Sequence, residues 1–184
     1  MALSYATIDG TKLECTPMQV KFKFPGASSA TDLGSTLSNV VIETKYEKTD
    51  LKADQLGTTV IDRRVKGLVI TVTTEIAEVQ DKQFWLAVFP HATLTTVLTQ
   101  TVIDFNSAVG DSDLGNAGEL TLHPLSKAAT DVDYDYTFFK ACASAESSIT
   151  YGPDQQARLK IVWNVLPDTS ATPAKFYRYG DVAV

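Results

Sequence analysis

Val65-Lys66-Gly67-Leu68-Val69-Ile70-Thr71-Val72-Thr73-Thr74-Glu75-Ile76 is the stretch whose reading decides the fold. Leu68, Ile70, Val72 and Ile76 fall on one side of an extended chain, and Thr71, Thr73 and Glu75 fall on the other. Two-residue alternation of this kind describes a strand with one buried and one wet face. Residues 156–166 repeat it, with Leu159, Ile161, Trp163 and Val165 set against Arg158, Lys160 and Asn164. Further candidate strands are Met18–Phe24, Leu37–Tyr46, Thr95–Asp104, Glu119–His123, Tyr134–Ala141 and Lys175–Tyr179. Threonine fills one position in eight, and β-branched side chains suit a half-buried pleated surface. The expectation is a mainly β domain.

One segment departs from the alternation. Glu78 to Phe89 contains no glycine and is stopped by Pro90. Val79, Phe84 and Val88, with Leu86 as an optional fourth, make an apolar stripe opposite Gln80, Asp81 and Gln83. This predicts a single helix of two to three turns packed on the side of the sheets. Pro25 to Ala30 is a small-residue turn cluster. Thr44–Asp62 alternates charges with few large apolar residues, which predicts a solvated loop between two strands. Residues 105–118, with Gly110, Gly115 and Gly118 beside Asp111 and Asp113, read as a flexible acidic loop. No repeat or linker divides the chain, so residues 1–184 are taken as one domain.

The chain has 184 residues, 44% of them hydrophobic and 21% charged, enough to bury a core. No window approaches the run of apolar residues that a membrane helix needs, and the first residues lack the pattern of a signal peptide. The expectation is a protein made in a cytoplasm, with no membrane partner. The net charge of −6 argues against a groove binder of nucleic acid, which would be basic. Cys15 and Cys142 are far apart and outside any CxxC pair, and both read as small apolar fillers.

No signature of catalysis or cofactor binding is present: no G-x-S-x-G, phosphate loop, H-E-x-x-H or G-x-G-x-x-G. The expectation is a protein that is not an enzyme and has no catalytic residues, metal or cofactor. His91 reads as a turn residue and His123 as a polar strand end. Asp131-x-Asp133-x-Asp135 begins like a calcium loop, but Tyr136 stands where that loop needs glycine and Cys142 where it needs a bidentate glutamate. A solvated acidic edge is the simpler reading. Arg63, Arg64 and Lys66 form the one compact basic cluster. With Arg63 and Lys66 on opposite faces of a strand, it suits ion pairs with carboxylates of a neighbouring subunit better than a phosphate site. Asp104 to Asp135 holds seven acids against Lys127, a surface suited to not sticking to a polyanion.

The run Leu51-Lys52-Ala53-Asp54-Gln55-Leu56-Gly57-Thr58-Thr59-Val60-Ile61-Asp62, continuing through Arg63 to Glu78, resembles the major tail tube proteins of long-tailed bacteriophages. It carries an Asp-Gln-x-Gly-Thr element in a long loop, then a strand-leading glycine at Gly67. An alternating Val/Thr strand and Ala77-Glu78 before the helix complete the pattern. The match covers the middle third of the chain. Tubes of contractile injection and type VI secretion systems share that fold.

The resemblance implies a β-sandwich or barrel with one flanking helix and a long inter-strand arm. Six copies would close into a ring, and rings would stack into a hollow virion tail tube that conducts double-stranded DNA to the host without binding it specifically. Further partners would be tail terminator, tail tip and tape-measure proteins. Lys48, Asp50, Lys52, Asp54, Gln55, Gly57 and Thr58 would make the inter-ring contacts of the arm. Thr71, Thr73 and Glu75 would line the lumen, where lysine or arginine would brake the DNA. Two alternatives stand beside this reading: another tube or terminator protein of a tail or secretion system, and a ligand- or carbohydrate-binding β-sandwich. Exposed aromatic residues gathered in one place would favour the last.

Overall fold

The computed structural model of the chain describes residues 16–52, 58–77, 82–89, 91–97, 100–105, 109–143 and 147–180. Strands β1 (Met18–Lys23), β2 (Thr31–Ser35), β3 (Val41–Lys52) and β4 (Val60–Ile76) come first, followed by helix α1 (Lys82–Val88). Strands β5 (Ala92–Val97) and β6 (Gln100–Phe105) and the single turn α2 (Asp113–Asn116) follow. The chain continues with β7 (Gly118–Pro124), β8 (Tyr136–Ala143), β9 (Ser148–Gly152), β10 (Gln155–Val165) and β11 (Tyr177–Tyr179). The fold is mainly β, as the alternation requires.

Nine strands form one antiparallel sheet in the order β2-β1-β7-β8-β10-β4-β3, with β11 beside β8 and β9 beside β10. The sheet closes on itself. Thr36, just past β2, bridges Ile76 at the end of β4, and the Leu37 amide donates to the Glu75 carbonyl at 2.8 Å. The inward faces therefore meet in one barrel-like core. Val20 and Phe22 of β1, Leu120 and Leu122 of β7 and Phe138 of β8 face Ile70, Val72 and Ile76 of β4 and Leu159, Ile161 and Trp163 of β10. Phe22 stacks on Trp163 at 5.3 Å although three strand pairings separate β1 from β10. Ala87 and Val88 of α1 join this core, and Trp85 stacks on Phe89 with Phe105 against both rings. Val79 lies outside the described residues, so the stripe is seen only through its second turn.

Four expectations need correction. Thr44–Asp62 is not a loop. β3 runs to Lys52 and β4 starts at Val60, so most of the excursion is a two-stranded ribbon held by its own ladder. The segment read as one strand, Thr95–Asp104, spans a hairpin, because β5 pairs with β6 from Ala92↔Phe105 to Val97↔Gln100. The acidic loop holds a second short helix, α2, beside the one predicted. The strand expected from Tyr134 starts only at Tyr136, and Tyr134 lies in the turn before it.

Candidate assembly surface

β10 stops pairing with β4 at Ile70, but β3 accompanies β4 far past that point, to Lys52↔Val60. Beyond Val69 the two strands leave the barrel as a ribbon with no third strand among the described residues. Edge charges such as Lys45, Glu47, Lys48 and Asp50 keep a free strand from pairing at random. The ribbon nevertheless holds Tyr46, Ile61, Val65 and Val69 in water, each at least 46% exposed. A lone two-stranded ribbon is marginal in water, and apolar side chains along it are surface still to be covered.

Of the arm residues singled out from the sequence, Lys48 lies opposite Val65, Asp50 opposite Arg63 and Lys52 opposite Val60. Thr58 sits in the turn leading to β4, and Asp54, Gln55 and Gly57 lie outside the described residues. Arg63 is engaged within its own chain, since its Nε donates to Asp50 Oδ1 at 3.1 Å. Arg64 lies opposite Thr49. The ladder passes from Glu47↔Gly67 to Lys48↔Val65 and skips Lys66, so strict alternation between Arg63 and Lys66 is broken there. Sequence parity could not register that slip.

Thr71, Thr73 and Glu75 occupy the outer face of β4, opposite buried Ile70, Val72, Thr74 and Ile76. Across β10 they face Asn164, Val162 and Lys160, and across β3 Thr71 faces Glu43 and Thr73 faces Val41. Glu75 accepts from Ser38 Oγ at 2.5 Å and forms an ion pair with Arg158, whose Nε lies 3.3 Å away. The face is polar and its charges are balanced. Beside it, an open groove between Met18, Thr36, Leu37 and Val40 marks the seam of the barrel.

His123 stands next to the last residue of β7 and is buried. Its Nδ1 lies 2.6 Å from Asp135 Oδ1, also buried, and its Nε2 has no partner among the described residues. Asp135 is thereby withdrawn from the acidic edge, leaving Asp133 exposed and Asp131 half-buried. No spacing rule links a histidine to a carboxylate twelve residues on in a turn. His91, half-buried, reaches Asp111 at 3.2 Å and ties the start of the β5–β6 hairpin to the segment before α2. Cys142 is buried on β8, and burial first, then the nearby Asp113 carboxylate, push its thiol up to about 11. Cys15 lies outside the described residues. Among the described residues no group of three potential ligands could hold a metal ion, and no helix is long and apolar enough to cross a membrane.

Tyr177 and Tyr179 on β11 stand 39% and 56% exposed, Tyr179 with its ring 4.5 Å from that of Tyr136. Lys127 lies over the Tyr134 ring at 4.1 Å, and Arg178 over Phe139 at 5.5 Å.

No protein-family model matches the chain, and no curated protein matches it. Among solved structures, the chain is similar to one from an assembly described as "Cryo-EM structure of the anti-feeding prophage (AFP) baseplate, 6-fold symmetrised". The TM-score is 0.49 at 10% identity, over 96% of each chain.

Proposed function

We propose that the protein is a structural subunit of a phage-type tail, which self-assembles as hexameric rings stacked into a hollow tube through which genomic DNA passes to the host cell. One observation carries this reading: among the described residues the β3–β4 ribbon leaves the barrel with an open strand edge and with Tyr46, Ile61, Val65 and Val69 in water. Such a ribbon gains cover and ladder partners in an assembly and lacks both in isolation. The polar, charge-balanced face of Thr71, Thr73 and Glu75 suits a wall past which a polyanion slides. Terminator, tip and tape-measure proteins are the further partners this reading brings.

The test is removal of residues 49–58. Folded protein that no longer forms long tubes in electron micrographs supports the reading, and tubes of normal length contradict it. A second reading, a carbohydrate-binding β-barrel, draws on the exposed rings of Tyr177 and Tyr179, since aromatic faces are what sugars stack on. A glycan-array screen of the intact protein, repeated with Tyr179→Ala, separates the two.

A further inference from the structure

Charge is spread unevenly around β4. At its arm end, Lys45 to Lys66 contains six Lys and Arg against four Asp and Glu, in a chain of net charge −6. Among the described residues Arg63 is matched by Asp50, while Lys45, Lys48, Arg64 and Lys66 stand without an acid partner. After β4 in the chain come α1, the β5–β6 hairpin and α2. From Gln83 to Ser126 the chain has no lysine or arginine but carries Asp104, Asp111, Asp113 and Glu119. This acidic pole is one packed unit. Phe105 of β6 lies 5.0 Å from Phe89 just past α1, His91 holds Asp111, and α2 lies on β8 with Asp113 near Cys142. Asp104 and Asp113 are exposed.

Asp113 lies near Cys142, and Asn164 of β10 pairs with both Cys142 and Thr71, so α2 sits level with Thr71, beside the middle of β4. Among the described residues neither Arg64 nor Lys66 reaches an acid of its own chain. We propose that the ribbon of one copy seats on the acidic pole of a second copy, with Arg64 and Lys66 facing Asp104 and Asp113. This rests on the assembly reading above and adds the receiving surface. Because the two patches differ, the contact is heterologous and repeats from copy to copy, where a face-to-face pair would stop at two. The interleaved Glu47, Asp50 and Asp62 fit the ribbon to a protein surface and not to a phosphate chain, which would repel them.

Sedimentation velocity over a concentration series, at low and high salt, tests this with the full chain. Arg64→Glu/Lys66→Glu and Asp104→Lys/Asp113→Lys should each fold, by circular dichroism, and each associate at least about tenfold more weakly than the wild type. An equimolar mixture of the two, in which like-signed patches again find opposites, should regain association, as should the fourfold variant. Wild-type assembly that both charge reversals leave intact overturns the pairing while the assembly reading stands. A wild type that stays monomeric at every concentration overturns both. Charge-dependent binding of the ribbon to duplex DNA without self-association also overturns the pairing.

Discussion

The indole Nε1 of Trp163 donates to Thr74 Oγ1 at 3.0 Å in the middle of the core, across 89 residues of sequence. Both residues are fully buried, on the inward faces of adjacent strands. The bond is what allows a threonine to occupy a core position, because a buried hydroxyl or indole N–H without a partner costs about 1–3 kcal/mol. Thr74→Val, nearly the same shape, should therefore destabilise the protein by about 1–3 kcal/mol in urea unfolding. In Thr74→Val/Trp163→Phe the orphaned donor is gone, so the loss should fall short of the sum of the single losses by about 1 kcal/mol. Strict additivity would show that the bond contributes nothing.

Gly118 begins β7 where two strands come too close for a side chain. A Cβ there would sit well inside contact distance of the Lys23 carbonyl oxygen and the Phe22 ring. The carbonyl belongs to backbone held in the β1–β7 ladder and cannot step aside. Gly118→Ala should lower stability by about 1–3 kcal/mol through overpacking, whereas Gly115→Ala, whose nearest neighbour is 3.9 Å away, should not. Equal thermal midpoints for the two variants would contradict this.

The two histidine–aspartate pairs should behave differently. His123–Asp135 is buried, and Asp135→Ala leaves both ring nitrogens without a partner among the described residues, at about 1–3 kcal/mol. His91–Asp111 is largely in water, and Asp111→Ala should cost less than about 1 kcal/mol. Chemical denaturation of the two variants side by side measures the contrast, and a reversed order would refute it.

Cys142 gives the stability a dependence on alkaline pH. Its thiol ionises near 9.0 in the open chain and at about 11 in the fold, so the folded state resists the thiolate. That contribution is complete below pH 9 and is lost as pH rises through about 11. Between those values the wild type should lose stability faster than Cys142→Ala. Identical slopes would remove the cysteine as the cause.

How legible each part was in the sequence depended on what its side chains had to do. β4 and β10 line the core on one face, so Ile70, Val72, Leu159, Ile161 and Trp163 announced themselves by alternation. Thr74 belongs to the same buried row but reads as polar, because only its bond to Trp163 makes burial affordable. β8 hid its parity. Leu120 faces Phe138 while Gly118 faces Ala141, a slip that turns both Phe138 and Ala141 inward although they are three residues apart. The outer halves of β3 and β4 were silent for another reason: solvated on both faces, they have no buried side to create a period. The charges set Thr44–Asp62 apart from the core strands, yet its ribbon geometry and the Arg63–Asp50 pair emerged only with the register. Partners such as His123 and Asp135 meet through tertiary packing, which leaves no local trace.

Whether the molecule is built to assemble is tested most directly by negative-stain electron microscopy of the purified protein, concentrated at neutral pH, together with its mass in solution. Hollow tubes or six-fold rings, with a mass that rises with concentration, are the predicted result. A single particle with the mass of one chain at every concentration would contradict the account.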